Sequence, residues 1–411
     1  MYNSITTDFY EKDNLEIRKE NGIYITPYSI IKKCFENEDI SKYKDILEPS
    51  FGTGQFIDVM LELAKIKKGK IKTSISGVEL YGELYNLVKS KYSKQKNITL
   101  FNSDFLNWKT EKLYDLIVGN PPYFELTITK EQKEKYKEII SGRVNIYSLF
   151  IYKCINLLKP NGKLIFVIPT SLLSSKYFEK LRYYIYKTCV VDNIIILGSK
   201  DFKDALQSTM IFKISKLSET NLTNNNFIVK FSNTIIFSNE YLQINKEIKD
   251  KKFICDYNCD IKTGSIVWNQ HKDKLSNNKK NSEYITLVYP RNLVDNKIII
   301  KPDTTKKQYI KINVEPIKTP FIVINRIIGI KDISLKPVLV EETDNGSYLF
   351  ENHINVITGK IGDLKIIYNS LCKPETITFI KNIIGNTQLS KNELLYMIPI
   401  YLIKLNNSDG V

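Results

Sequence analysis

Short apolar segments alternate with longer amphipathic segments from about residue 40 to about residue 215, and this alternation constrains the fold more than any other feature. The apolar segments are rich in β-branched residues and apolar at nearly every position, which is typical of buried parallel strands. They occupy residues 45–49, 74–80, 98–101, 114–118, 163–168, 193–197 and 208–214. The pattern predicts an α/β fold with a Rossmann-like, doubly wound sheet. Ligands of such sheets bind at the carboxyl ends of the strands.

The alternation stops in the second half of the chain. A polar segment at 218–226 precedes the change, and short strand-like runs dominate beyond about residue 250. We therefore predict two domains, with the doubly wound domain at residues 1–245 and an α+β domain at residues 246–411.

The chain of 411 residues carries a formal net charge of +15, and its basic residues are spread over both predicted domains. This excess favours a polyanionic partner, although a lysine-rich composition bias explains the charge equally well. No apolar run reaches the roughly 20 residues that span a bilayer, so we predict no membrane anchor.

The six cysteines stand mostly in apolar contexts, which is typical of reduced thiols and predicts a cytoplasmic protein. Cys255 and Cys259 are the only close pair, and no second pair follows them. Because a structural zinc ion needs about four ligands in a tight pattern, ordinary thiols are favoured and no metal is predicted.

Polar or turn-forming residues follow the first three predicted strands in order. Gly52 and Gly54 stand between the first strand and a helix, where glycine lets the backbone approach a ligand closely. Glu79 ends the second strand, where an acid can bind ribose hydroxyls. Asp104 follows the third strand and can accept a hydrogen bond from an adenine amino group. Each acid alone is more often a solvated strand end, but their order predicts a nucleoside-type cofactor.

The fourth predicted strand ends in Asn120-Pro121-Pro122-Tyr123, the most informative segment of the chain. The two prolines fix φ and remove backbone donors, so the turn is rigid. The Asn120 side-chain oxygen and the Pro121 carbonyl can both accept from one amino group, and Tyr123 offers a flat face for a planar base. A purely structural turn is the alternative.

These motifs together resemble the amino-methyltransferases, whose signature is Asn-Pro-Pro-Tyr, and more closely the γ-class DNA adenine-N6 methyltransferases of type II restriction–modification systems. Residues 25–27 resemble that family's N-terminal cofactor motif, and the similarity continues through residues 145–150, 157–162 and 166–169. Residues 288–293 and 387–395 resemble its target-recognition domain. The chain departs from the family at Phe51, where a small residue is usual.

The resemblance implies S-adenosylmethionine as cofactor and assigns a role to each matching residue. Asn120 and Pro121 would hold the target amino group, Tyr123 would stack on the base, and Phe202 would supply a second stacking ring. Arg291 and Arg326 are candidate DNA contacts in the second domain. The cofactor would be held at its methionine end by Thr26, Glu48, Ser50 and Gly52, at its ribose by Glu79, and at its adenine by Leu80, Asp104, Phe105, Pro122 and Phe150.

The function implied is site-specific methylation of the N6 amino group of an adenine flipped out of double-stranded DNA, which would protect host DNA. A monomer acting beside a separately encoded restriction endonuclease fits this family. Methylation of an RNA base or a protein glutamine, and a DNA-binding specificity protein without catalysis, are the alternatives. Cytosine-N4 methyltransferases typically carry serine in place of Asn120, which favours adenine.

Overall fold

The computed structural model describes residues 3–7, 25–66, 73–198, 208–218, 226–301, 305–329, 333–341, 347–383 and 388–402. The chain divides into two compact units, one of Met1–Ile228 and Ile235–Tyr241 and the other of Val229–Thr234 and Leu242–Val411. The division of function between residues 1–245 and 246–411 stays a prediction.

The first unit contains helices and strands in alternation. Its helices are α1 (Tyr28–Cys34), α2 (Gln55–Ile66), α3 (Gly82–Lys91), α4 (Lys130–Lys135), α5 (Ile146–Leu157) and α6 (Glu179–Thr188). Its strands are β1 (Asp45–Glu48), β2 (Ser74–Glu79), β3 (Ile98–Asn102), β4 (Tyr114–Gly119), β5 (Glu125–Leu126), β6 (Val144–Asn145), β7 (Leu158–Pro169), β8 (Cys189–Ile196) and β9 (Thr209–Lys216). Two short strands, β10 (Ile228–Lys230) and β11 (Ile235–Phe237), and helix α7 (Tyr241–Ile248) follow where the chain passes from one unit to the other.

Seven strands form one sheet in the order β3-β2-β1-β4-β7-β9-β8. The strands from β3 to β7 pair in parallel, whereas β9 runs antiparallel to both of its neighbours. The chain first builds the sheet outward from β1 to β3 and then continues on the other side with β4. This reversal creates a topological switch point between β1 and β4. The predicted Rossmann-like, doubly wound α/β fold is confirmed.

Alternate residues of the central strands face two separate apolar cores. Ile117 of β4 packs in one core, whereas its neighbours Leu116 and Val118 pack in the other. Both faces are dry because helices cover them, which explains why these strands are apolar at every position. Replacing such a buried side chain with alanine costs about 2–5 kcal/mol. The turns at the carboxyl ends of these strands therefore rest on a rigid base.

The second unit is an α+β structure. Its helices are α8 (Ile361–Leu371), α9 (Pro374–Ile383) and α10 (Lys391–Tyr396), and its strands are β12 (Cys259–Thr263), β13 (Leu275–Ser276), β14 (Ile285–Val288), β15 (Leu293–Val294), β16 (Lys297–Ile298), β17 (Tyr309–Ile310), β18 (Ile317–Lys318), β19 (Phe321–Asn325), β20 (Val338–Val340), β21 (Ser347–Phe350) and β22 (Ile354–Gly359). They form a sheet of order β12-β22-β19-β20, a sheet of order β13-β17-β14-β21-β18, and the pair β15-β16.

Within the described ranges, no helix combines the length and the apolar character that crossing a membrane requires.

Candidate active site

A cavity of about 360 Å³ opens at the carboxyl ends of β1, β2, β3 and β4, beside the switch point. Its volume lies within the range of about 300–1,000 Å³ that is usual for small-molecule sites. Asn120 lines it, and so does every residue that the sequence predicts to bind a cofactor, namely Thr26, Glu48, Ser50, Gly52, Glu79, Leu80, Asp104, Phe105, Pro122 and Phe150. The fold therefore brings together motifs that are distant in the chain, while their individual roles stay predictions.

The turn after β1 needs its glycines. Gly52 and Gly54 adopt φ angles of 51° and 75°, the left-handed region in which other residues are strained. Phe51, which departs from the family pattern, is buried against Gly77 of β2. A Cβ atom at Gly77 would lie 2.8 Å from the Phe51 ring. The absence of a side chain at Gly77 thus makes room for the large residue.

Glu48, at the end of β1, is a buried carboxyl group without a described partner for one oxygen. The side chain is 1% exposed, and Glu48 Oε2 has no hydrogen-bond partner among the described residues. Burial, together with the negative charges of Glu79 and Asp58, raises the pKa of Glu48 well above its ordinary value. A buried acceptor on the wall of a cavity fits a ligand that carries an ammonium group. The amino group of a bound methionine moiety would meet this requirement.

Glu79, at the end of β2, connects two loops at the cavity wall. Glu79 Oε2 accepts from the backbone N–H of Gly52 at 2.8 Å, and Oε1 accepts from that of Tyr81 at 2.9 Å. Burial raises the pKa of Glu79, although these backbone donors oppose the shift. A carboxylate offers about four acceptor sites, so the side chain can bind these two donors and still accept from ribose hydroxyls.

The side of the cavity that follows β3 combines a polar turn with aromatic rings. Asp104 accepts from Leu106 N at 2.9 Å and from Asn107 Nδ2 at 2.6 Å, which shapes the turn after β3. The centroids of the Phe105 and Phe150 rings lie 4.8 Å apart. Leu80 borders the cavity with 69% of its surface exposed, a placement suited to covering a flat ring.

Lys153 of α5 holds the backbone of the turn after β3 in place, and the sequence analysis did not single it out. Its amine donates to the backbone carbonyls of Phe105, Leu106 and Trp108. The charge also lies 4.8 Å from the centre of the Phe105 ring. Burial lowers the pKa of Lys153. Its position in an otherwise apolar stretch of a buried helix was the available signal.

The Asn120 side chain is held from two directions. Its Nδ2 donates to Thr26 Oγ1 at 2.9 Å, and its Oδ1 accepts from the Tyr123 hydroxyl. Ser50 Oγ donates to the Asn120 carbonyl at 3.3 Å, which links the turn after β1 to the turn after β4. The amide acceptor is therefore placed at the edge of the cavity. Pro121 is buried and is not among the residues that line the cavity, so the use of its carbonyl as an acceptor stays a prediction.

The Tyr123 ring is buried in this structure, whereas its predicted stacking role requires an exposed ring face. Its side chain is 7% exposed, and its single hydroxyl proton is shared between Asn120 Oδ1 and the Val167 carbonyl, which lies 2.6 Å from the hydroxyl oxygen. The ring packs edge-on against Tyr147, with 6.2 Å between centroids. In this conformation no face of the ring is open to a base, because the buried carbonyl of Val167 draws the hydroxyl inward. Stacking by Tyr123 stays a prediction that requires the side chain to move.

The remaining predicted residues are Phe202, Arg291 and Arg326. Phe202 falls outside the described residues. Arg291 donates to the Lys306 carbonyl at 2.7 Å and stays exposed. Arg326 donates to the Asn352 carbonyl at 2.7 Å and lies 3.4 Å from Gln388 Oε1. Both terminal nitrogens of the Arg326 guanidinium thus contact residues of the second unit, so fewer of its N–H groups remain to bind a base or a phosphate.

Gln55 also belongs to the site and is contacted by Asn3, and the sequence analysis missed both residues. Gln55 lines the cavity and its Nε2 donates to the Thr26 carbonyl at 2.6 Å. The position directly after Gly54 was the available signal. In the part of the chain that the structure describes, no three His, Cys, Asp or Glu side chains are arranged to hold a metal ion.

Residues 54–202 match the family described as "Eco57I restriction-modification methylase". The "Modification methylase CviBIII" of Paramecium bursaria Chlorella virus NC1A is 36% identical over 207 residues, which are 49% of this chain and 52% of the relative. The chain thus spans about half the length of that relative. The "Type II methyltransferase M.CvrRI" of Paramecium bursaria Chlorella virus XZ-6E is 25% identical over 98% of this chain and 99% of its own length.

Among solved structures, a modification subunit of a putative type I restriction enzyme from Vibrio vulnificus YJ016 is 19% identical. The match covers 53% of this chain and 51% of the chain of that subunit, with a TM-score of 0.44.

The fold and the cavity define a doubly wound ligand-binding domain whose polar groups stand at consecutive strand ends. The chain is similar to a family of restriction-modification methylases and to curated type II methyltransferases. The resemblance of this chain to the γ-class members of that group, predicted from its motifs, is confirmed.

Proposed function

We propose that the protein is an S-adenosylmethionine-dependent DNA methyltransferase that methylates the N6 amino group of adenine. One observation carries the proposal: the Asn120 amide stands at the edge of a cavity lined by Glu48, Glu79 and Asp104. The similarity to type II methyltransferases supports DNA as the substrate. Asparagine at position 120 supports adenine over cytosine.

The cofactor, when bound, supplies an electrophilic methyl group on a sulfonium centre. Glu48 would bind its ammonium group, and Glu79 would bind its ribose hydroxyls. The exocyclic nitrogen of adenine is a weak nucleophile because its lone pair is delocalised into the ring. Two acceptors, Asn120 Oδ1 and the Pro121 carbonyl, would draw its two N–H groups out of the ring plane. The lone pair would then localise on the nitrogen, so these residues would contribute to catalysis through position and electrostatics.

The target nitrogen is inaccessible inside a duplex, so the adenine must leave the stack at a cost of a few kcal/mol. The net charge of +15 supports the contacts to phosphate that offset this cost. Double-stranded DNA is therefore the proposed partner, and binding should weaken steeply as salt rises. We further propose that the enzyme acts as a monomer in the cytoplasm, beside a separately encoded restriction endonuclease.

The experiment that tests this function is long-read sequencing of DNA from a methylation-free host expressing the protein, with an Asn120→Ala variant as control. We expect N6-methyladenine at one short sequence motif in the host that carries the unaltered protein, and far less of it in the control. N4-methylcytosine would correct the target base. DNA without any modified base, from a host that contains folded protein, would direct the search to RNA or protein substrates.

The buried Glu48 carboxyl predicts opposite effects on stability and on cofactor binding. Burial raises the pKa of Glu48, so ionising the buried carboxyl lowers the free energy of unfolding. The folded protein is therefore more stable while Glu48 is protonated, and this stability is lost as pH rises through the raised pKa. Glu48→Gln should therefore raise the Tm of the cofactor-free protein, by about 2–4 °C for each kcal/mol gained. A bound ammonium lowers the pKa of Glu48, so binding releases a proton and cofactor affinity should fall as pH falls.

Calorimetric binding of S-adenosylmethionine across a pH series, with melting curves, checks this prediction. Glu48→Gln should bind more weakly and lose the part of the pH dependence that belongs to this carboxyl. The matched control is Glu62→Gln on α2, whose carboxylate is half-exposed and pairs with Lys32. An unchanged affinity in Glu48→Gln would show that this carboxyl does not contact the cofactor.

A further inference from the structure

Residues 3–7 lie against the turn that follows β1. The Asn3 backbone N–H donates to Gln55 Oε1 at 3.2 Å, and its side-chain amide donates to the Thr53 carbonyl at 2.9 Å. Thr6 Oγ1 lies 2.7 Å from Thr53 Oγ1. Asn3, Thr6, Thr53 and Gln55 are all buried. These contacts join segments about 50 positions apart in the chain, so they constrain the turn from outside its own sequence.

The contacts continue from Gln55 to the catalytic amide. Gln55 uses both ends of its side-chain amide, since Oε1 accepts from Asn3 and Nε2 donates to the Thr26 carbonyl at 2.6 Å. Thr26 in turn accepts from Asn120 Nδ2 at 2.9 Å through its hydroxyl. Thr26 is 4% exposed, so water competes little for this hydroxyl. A continuous path of hydrogen bonds thus runs from Asn3 to Asn120.

The path matters because the two ends of the Asn120 amide differ chemically. Nδ2 only donates hydrogen bonds, whereas Oδ1 only accepts them. A substrate N–H needs an acceptor, so an amide turned by 180° would present the wrong group. In the structure Nδ2 is bonded to Thr26, which leaves Oδ1 on the opposite side. The Tyr123 hydroxyl also contacts Oδ1, but its single proton is shared with the Val167 carbonyl, so the contact with Thr26 is the one that holds the amide in this orientation.

We infer that Thr26 is a positioning residue that orients the Asn120 amide, and that Asn3 and Gln55 hold Thr26 in place. This inference rests on the proposed methyl transfer and adds to it a function for residues 3–7. A hydroxyl at position 26 is required, because an alkyl group of the same shape removes the acceptor that Thr26 offers to Nδ2. The amide is then held less firmly in the orientation that supports the reaction.

The test compares three variants that change one group each. Thr26→Val removes the hydroxyl and keeps the shape, Thr26→Ser keeps the hydroxyl, and Thr73→Val is the matched control. Thr73 directly precedes β2 and is as buried as Thr26. Its hydroxyl donates to the Tyr43 carbonyl at 2.9 Å. Single-turnover methylation of DNA, at saturating S-adenosylmethionine and DNA, gives the rate of transfer. Calorimetry gives the cofactor affinity separately.

We expect Thr26→Val to slow transfer about 10- to 100-fold, as a misplaced catalytic group does, while its cofactor affinity changes far less. Thr26→Ser should restore the rate, and Thr73→Val should keep it. Gln55→Met and Asn3→Leu should slow transfer by smaller factors, in that order. Equal losses of rate and cofactor affinity in Thr26→Val would make Thr26 a cofactor contact only. An unchanged rate in Thr26→Val would also overturn the inference.

A measurement without turnover separates this inference from the proposed function. In protein labelled with ¹⁵N-asparagine, the Asn120 side-chain NH₂ signal is identified by its loss in Asn120→Ala. Thr26→Val should shift that signal and speed its exchange with water, and Thr73→Val should not. An unmoved signal would overturn the inference. If the unaltered protein methylates no DNA yet its NH₂ signal responds to Thr26→Val, the proposed function fails and the positioning contact stands.

Discussion

Asn120→Ala should slow methyl transfer about 10²- to 10³-fold, the loss expected when one preorganised hydrogen-bonding group is removed from a reacting centre. The variant loses the acceptor Oδ1 and, with it, the contacts to Thr26 and Tyr123. The cofactor walls around Glu48 and Glu79 stay in place, so cofactor affinity should be largely kept. Single-turnover methylation and calorimetric cofactor binding measure the two quantities independently.

The control for this prediction is Asn156→Ala, an exposed asparagine of α5 whose side chain bonds to the Tyr152 carbonyl and Tyr184. It should leave both transfer and cofactor binding unchanged. If Asn120→Ala weakened cofactor binding as strongly as it slowed transfer, Asn120 would be a structural part of the cofactor cavity. Its assignment to the target amino group would then be wrong.

Glu79→Ala should produce the largest loss of cofactor affinity. Hydrogen bonds to a charged group contribute about 1.5–3 kcal/mol each, so losing two from ribose hydroxyls weakens binding about 100-fold or more. The backbone N–H groups of Gly52 and Tyr81 also lose their acceptor, which should lower Tm. Equilibrium binding of S-adenosylmethionine and thermal unfolding measure both effects.

Two further variants make this test specific. Glu79→Gln keeps one acceptor oxygen and should show a smaller loss than Glu79→Ala. Glu83→Ala removes an exposed carboxylate in the first turn of α3 and should change neither affinity nor Tm. A loss in Tm without a loss in affinity would limit Glu79 to joining the two loops.

The parts of the site that sequence alone predicted are those whose chemistry is local. Strands such as β4 were predictable because residues buried on both faces are apolar at every position. Gly52 and Asn120 were predictable because each lies in the turn that follows such a strand. The strand ends then meet at one edge of the sheet, so the cavity lining followed from the strand order.

The parts that were missed depend on contacts between distant segments. Nothing in residues 3–7 indicates that Asn3 binds Gln55, since side-chain pairing across such a separation leaves no periodic pattern. Lys153 was missed because its partners are backbone carbonyls, which every residue has. The inward position of Tyr123 depends on a single carbonyl, that of Val167, which becomes available only once β7 has joined the sheet.

The contact between Phe51 and Gly77 makes the history of this chain depend on the order of its mutations. A Cβ atom at position 77 would lie 2.7 Å from Leu100 Cδ2 and 2.8 Å from the Phe51 ring. A lineage that carries Phe51 and Leu100 can therefore replace Gly77 only if both of these side chains also change or shift. Substitutions at these three sites should be correlated across relatives, although none of the three residues participates in chemistry.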